Sequence, residues 1–297
     1  GRGETIMNTN PFRQMINRLN LKRPASEPAR HARRAFQKKA NFSLSFTILV
    51  LTLIFLFLPL FVIIAYSFNA GKSSTFTGFS LEWYKKLFFD SEPLWAALLN
   101  SLIVALSSAA LSTILGTLAA IGISWYKFKG KLYIQTVTFL PMVLPEVIVG
   151  VSMLIFFSGI KFPLGLFSIF VAHTTFCLPF VFLMVLARLD EFDFSIIEAS
   201  HDLGATEKQT MYKVIIPAIF PGIMSGFMMA VTMSLEDFVI TFFVSGPGST
   251  TLPLYVYSMI RFGVSPVINA LSFVMILATV LIAFTLRKFL KNIAAAK

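Results

Sequence analysis

Charge is scarce in this sequence. Only 13% of its 297 residues are Asp, Glu, Lys or Arg, where an ordinary soluble domain carries about 25%. Hydrophobic residues make up 56%, and the mean hydropathy is +0.78. That balance excludes a disordered chain, a coiled coil and an ordinary cytosolic enzyme. Cysteine is nearly absent as well: Cys177 is alone, so no disulfide forms within the chain and a disulfide scaffold is excluded. His173 stands in an apolar stretch as a packing residue, and no metal site is expected. No Gly-x-x-x-x-Gly-Lys-Ser/Thr run occurs, so this chain is expected to hold no nucleotide. What it has in quantity is phenylalanine, 33 residues, which suits a surface facing lipid. The composition is that of an integral membrane protein.

The few charges divide the chain. Long gaps free of Lys, Arg, Asp and Glu, or nearly so, separate Lys39 from Lys72, Glu92 from Lys127, Lys131 from Lys161, Lys161 from Arg188, Lys213 from Arg261 and Arg261 from Arg287. A helix crossing roughly 30 Å of hydrocarbon needs about 20 apolar residues. The gaps predict an all-α protein with six transmembrane helices near residues 42–66, 97–123, 132–157, 164–187, 217–243 and 267–286. Placing the N-terminus inside puts 20 of the 25 Lys and Arg residues on inside segments and leaves Lys72, Lys85, Lys86, Lys161 and Arg261 outside. Both termini are therefore expected in the cytoplasm. The net charge of +11 reads as this asymmetry and not as a nucleic-acid footprint.

Residues 1–41 are basic and polar, broken by Pro11, Pro24 and Pro28, and read as a cytoplasmic tail on anionic headgroups. Gly1 to Ile6, ahead of Met7, have the look of an appended segment. Residues 42–290 form the expected transmembrane domain, and 291–297 a short cytoplasmic tail. Within the domain, Ser108, Ser112, Gly116 and Ala120 recur every four residues, as do Gly222, Gly226, Ala230 and Ser234. Such stripes let membrane helices approach closely, either within one chain or between subunits.

The segment 188–213 breaks the basic trend, holding Arg188, Lys208 and Lys213 against Asp190, Glu191, Asp193, Glu198, Asp202 and Glu207. Its net charge is −3 on these residues. Ser195 to Leu203 is predicted to be a short helix stopped by Gly204. A short exposed helix of this kind suits a groove on another protein.

The residues of this loop carry a resemblance. Glu198-Ala199-Ser200, then Gly204, then Val214-Ile215-Ile216-Pro217 resemble the Glu-Ala-Ala loop of ABC importer permeases, with conservative departures at Ser200, Val214 and Ile216. Further runs are similar to the spermidine/putrescine branch: His173 to Phe180, Asp202-Leu-Gly-Ala205, Ser234-Leu-Glu-Asp-Phe238, Phe243 to Pro247, Gly263 to Pro266 with Asn269 to Leu271, Ser67-Phe-Asn69 and Trp83-Tyr84. The resemblance covers roughly residues 42–290. It implies a type I ABC importer permease fold in a bacterial inner membrane. It also implies an importer of two homologous permeases, two ATP-binding subunits that hold ATP and Mg, and an extracytoplasmic polyamine-binding protein. Glu198, Ala199, Ser200, Asp202, Gly204, Ala205, Glu207 and Pro217 fall in the loop 188–217 that couples to the ATPase.

Polyamines are flexible polycations, and their path calls for carboxylates and aromatic faces. Acids within hydrocarbon cost at least about 2.5–3.5 kcal/mol and are functional candidates by default. Three occur here: Glu146, behind Pro141 and Pro145, and the adjacent pair Glu236 and Asp237. No Lys or Arg lies at comparable depth to pair them. Asp237 continues the small face through Ser234 and is expected to border the lumen in preference to Glu236. Trp83 reads as an interfacial anchor with a second role as a cation–π contact for the entering amine. His173 reads as a hydrogen-bonded packing residue. A secondary carrier would explain the acids but not the charged loop. An intramembrane serine protease would need a Ser–His pair, and no Gly-x-Ser-x-Gly elbow is present.

Overall fold

The computed structural model describes residues 27–72, 75–126, 128–193, 195–262 and 266–295. Residues 1–26 of the basic tail, with Met7, Pro11 and Pro24, lie outside them. Helix α1 spans Glu27–Ser67, α2 Glu82–Phe89, α3 Glu92–Trp125, α4 Lys131–Val143, α5 Glu146–Gly159 and α6 Leu166–Asp190. Helix α7 spans Ser195–Asp202 and α8 Glu207–Thr210; a π-helical turn at Met211–Ile215 leads into α9, Ile216–Glu236. Helices α10 (Val239–Val244), α11 (Leu252–Phe262) and α12 (Val267–Ala295) complete the order. Among the described residues the sole β pairing is an isolated bridge between Asn69 and Phe79.

The chain divides into two units, one up to Ala65 and one from Tyr66 onward. Within the first, α1 begins at Glu27, well ahead of the expected residue 42, and its apolar window starts at Leu44. Pro28 sits in its first turn, where the missing N–H is no loss.

Among the described residues, four helical stretches are long and apolar enough to cross a membrane: Leu44–Ser67, Glu92–Trp125, Leu166–Asp190 and Glu207–Glu236. A shorter apolar stretch covers Val267–Ile282. The predicted crossing at 132–157 is not one helix. Helices α4 and α5 meet at 109° across Leu144 and Pro145. Leu144 is extended, at φ −76° and ψ 141°, because the proline ring crowds the helical conformation of the residue before it. The predicted helix 217–243 is also interrupted. It ends at Glu236, Asp237 turns extended (φ −64°, ψ 124°), and α10 restarts at Val239.

The core of the second unit is helix α6 packed against α3 and α9. Both small-residue stripes are buried there. A β-carbon on Gly116 would stand 3.0 Å from Val181 Cγ1, and one on Gly226 would stand 3.2 Å from Val181 Cα. One on Gly222 would come within 2.8 Å of Arg188 Cβ. The stripes therefore serve packing inside the chain. The second is not a lumen face, as the sequence reading had it. Polar ties run alongside: Ser112 Oγ donates to Thr174 O at 3.0 Å, and Cys177 Sγ to Ala230 O at 3.6 Å. A second cluster joins Trp83 and Leu87 of α2 and Leu94 of α3 to Val267, Ala270 and Leu271 of α12.

Gly226→Val is expected to destabilise the protein in detergent, because the new methyls overlap the α6 backbone; overpacking of this sort costs about 1–3 kcal/mol. Gly122→Ala, where no atom lies within 4 Å of the added carbon, is the control and should hold or slightly raise the melting temperature. Equal melting temperatures for both variants would remove the close-packing role of the stripe.

Candidate functional site

The two helix breaks bring Glu146 and Glu236 to the surface. Glu146 opens α5 and is exposed. Its carboxylate stands in the first turn, where the unpaired N–H groups of a helix start favour negative charge. Glu236 closes α9 and is also exposed. It makes no hydrogen bond or ion pair among the described residues.

Asp237 does the opposite of what its sequence position suggests. It is buried, at 7% exposure, and its carboxylate is occupied from within. Oδ1 accepts from Ile240 N at 3.2 Å, and Oδ2 from Thr241 N at 2.9 Å and Thr241 Oγ1 at 2.8 Å. His173 of α6 supplies the remaining contact, with Nε2 3.1 Å from Oδ2 and 3.0 Å from Thr241 Oγ1. The other ring nitrogen, Nδ1, lies 2.7 Å from Ser234 Oγ, which Ser108 Oγ of α3 approaches at 3.3 Å. These partners assign the ring tautomer. Nε2 faces a carboxylate and donates, while Nδ1 accepts from Ser234. Asp237 thus has a partner that a search for Lys and Arg does not find, and it does not border an open lumen.

Ser234, His173 and Asp237 stand in the order of a nucleophilic triad. Access is what they lack. Ser234 and His173 are both buried, and the serine is enclosed between α3 and α6. The cluster ties helices together. Among the described residues, no group of three or more His, Cys, Asp or Glu comes together as a metal site.

Trp83 also departs from its expected role. It is 4% exposed, and its indole N–H donates to Asn69 O at 2.7 Å. The Lys86 ammonium already lies over its ring, 5.6 Å from the centroid. It is a packing residue at the α2–α12 contact, and the sequence could not reveal this because its partners are distant in the chain.

The loop after α6 forms the second candidate surface. Asp193 Oδ1 accepts from Ser195 N at 2.9 Å, and that backbone N–H holds its carboxyl below the ordinary carboxylate value. Helix α7 follows and ends as the sequence predicts. Ala205 N donates to Ser200 O at 3.0 Å and Gly204 N to His201 O at 2.9 Å, with Gly204 at φ +79°. This pair of bonds is a Schellman stop, which wants glycine at the left-handed position. Thr206 and Gln209 then form a capping box that starts α8. Ser200 is buried, its hydroxyl 2.9 Å from Thr210 Oγ1, and it anchors α7 to the following turn. Glu198, Ala199, Asp202, Glu207 and Pro217 are exposed, and Ala205 is partly so. Leu203 stands 89% exposed at the tip. The π turn widens the backbone just ahead of Pro217, whose ring cannot sit in a regular helix interior.

Comparison with known proteins agrees with this geometry. Residues 112–295 match the family model described as the inner membrane component of binding-protein-dependent transport systems. The spermidine/putrescine transport system permease protein PotC of Escherichia coli K12 is 37% identical over 237 residues, 77% of this chain and 89% of the relative. The putrescine transport system permease protein PotI of the same strain is 39% identical over 245 residues, 80% of this chain and 87% of the relative. Among solved structures, a bacterial ABC transporter that imports the acidic polysaccharide alginate superposes with a TM-score of 0.68 at 15% identity, over 85% of this chain and 96% of that one. The MetNI methionine ABC transporter, in an inward-facing conformation, gives 0.55 at 22% identity, over 68% and 98%.

Trp83→Phe is expected to lower the melting temperature, since it removes the indole hydrogen bond to Asn69 O, worth about 1 kcal/mol. It should leave the KM for transported substrate unchanged. A raised KM with an unchanged melting temperature would return Trp83 to the transport path.

The matched model, the identity to curated permeases and the all-helical fold with its exposed glycine-stopped helix agree, and the chain belongs to the family of inner membrane components of binding-protein-dependent transport systems.

Proposed function

We propose that this chain is one membrane-spanning subunit of an ATP-driven polyamine importer in a bacterial cytoplasmic membrane. It forms half of the translocation path with a second, homologous permease. Two ATPase subunits bind ATP and Mg and dock on α7, and an extracytoplasmic binding protein delivers spermidine or putrescine. The orientation follows from the Lys and Arg asymmetry, with both termini and the loop 188–217 in the cytoplasm.

The observation that carries the reading is the build of α7. One side is fixed to its own chain through Ser200 and Thr210. The opposite side offers the exposed acids Glu198 and Asp202, and the exposed Ile196 and Leu203 flank the anchored side. A free-standing carrier has no use for such a surface, whereas a separate ATPase needs one to pass its movement to the membrane subunit. The substrate class follows from the named relatives and from the exposed acids Glu146 and Glu236 in a chain otherwise poor in charge. Carboxylates at helix breaks suit ammonium groups, and beside Glu146 the prolines also free backbone carbonyls. Lipid covers the remaining apolar surface.

Gly204→Asp is expected to abolish uptake and weaken ATPase retention while membrane insertion stays normal. It forces a side chain into a left-handed position and adds charge to an acidic loop. Retention of the ATPase subunits and of the uptake rate by the purified variant would sink the docking assignment. Liposomes holding this chain alone are expected to show no polyamine flux with or without ATP. Flux at the rate of the full complex would favour a secondary carrier instead.

A further inference from the structure

Adjacent residues at a helix end point about 100° apart, so the direction of Glu236 depends on where Asp237 is tied. Asp237 is tied inward by four contacts, and three come from α10, which follows it in sequence. The fourth, from His173, is the one that reaches across to another helix. His173 simultaneously holds Ser234 in the last turn of α9. One imidazole therefore grips the chain on both sides of Glu236, two residues before it and one after.

We propose that His173 is a positioning residue for the cation path: by fixing Ser234 and Asp237 inward at the α9–α10 break, it presents the Glu236 carboxylate outward to the passing amine. The inference rests on the reading of the chain as a polyamine importer subunit. His173 itself meets no substrate, being 1% exposed with both ring nitrogens engaged. Asp237 cannot serve either, because its carboxylate is buried and meets four internal donors, three on Oδ2 and one on Oδ1. Glu236 is left as the acid at this break with a free carboxylate. Loosening the tie lets α9 and α10 turn relative to α6 and moves Glu236 off the path.

The test is uptake kinetics of the full complex in proteoliposomes, with His173→Asn, His173→Gln, Glu236→Gln and the double variant His173→Asn with Glu236→Gln. Asn is too short to reach Asp237, and its KM for polyamine is expected to rise about tenfold, the scale of one hydrogen bond to a charged group. Gln carries an amide N–H to the Nε2 position and should restore KM to within about threefold. The double variant should match Glu236→Gln alone, because the histidine acts through that glutamate. Additive losses in the double variant, or a fall in Vmax at constant KM for His173→Asn, would overturn the proposal. If His173→Asn fails to assemble, Asp237→Asn carries the same expectation and the same overturning result. A wild-type KM for Glu236→Gln sinks the acid path and the positioning role together. A raised KM for Glu236→Gln beside a wild-type KM for His173→Asn sinks the positioning role alone.

Discussion

A carboxylate enclosed among apolar helices must be given donors, and the arrangement around Asp237 is how this protein meets that demand. Removing a buried charge from water costs several kcal/mol, and leaving it without a partner after folding costs about 3–5 kcal/mol. Two backbone N–H groups of α10, the Thr241 hydroxyl and the His173 ring answer it together. The consequences spread outward. The backbone N–H groups are free to point at Asp237 only because the helix stops at Glu236 and restarts at Val239. The break is thus a condition of burying the acid, and the exposed position of Glu236 follows from the break. The histidine in turn is placed by α6, which the Gly116 and Gly226 contacts hold close to α3 and α9.

Helix α7 answers a different demand with related means. It must present an apolar tip and acidic side chains without collapsing onto its own protein. Ser200 supplies the fixed point, and the Gly204 stop turns the chain sharply enough to leave Leu203 uncovered. A cavity of about 500 Å³ lies behind it, lined by Ile197, His201 and Glu207 together with Trp125 and Tyr126 at the end of α3. The packing behind α7 is therefore incomplete.

Much of this architecture was legible in the sequence, and the gaps have identifiable causes. Long charge-free runs reveal apolar helices because lipid admits little else. Gly204 was readable because a helix stop followed by a capping box is a local event, settled within a dozen residues. The breaks were harder to find. Pro141 and Pro145 announce a kink, but nothing in their spacing distinguishes a bent span from a pair of helices at 109°. No proline or glycine marks the break at Asp237, which depends on contacts with a histidine 64 residues earlier. The assignment of Asp237 to a lumen failed for the same reason. Helical periodicity placed it correctly on the small, packed face with Ser234, and the error lay in equating a packed polar face with an open one. Trp83 misled in a parallel way, since a loop tryptophan reads as exposed until Asn69 and the α12 residues are seen to cover it.

The distribution of rigid and interrupted segments limits how the second unit can move. Along α6, Val181 fills the space opposite Gly116 and Gly226, and Arg188 the space opposite Gly222. Sliding any of the three helices past another would drive a side chain into backbone, and close-packed interiors do not deform continuously. The helical ladder is open instead at Leu144–Pro145 and at Asp237–Phe238. The two breaks are also neighbours in space through the packing of α5 on α10, where Gly150 admits the Phe243 ring. An exposed acid stands at each, Glu146 on one side and Glu236 on the other. An exposed acid and an interruption of the helical ladder thus occur together at two points of the chain.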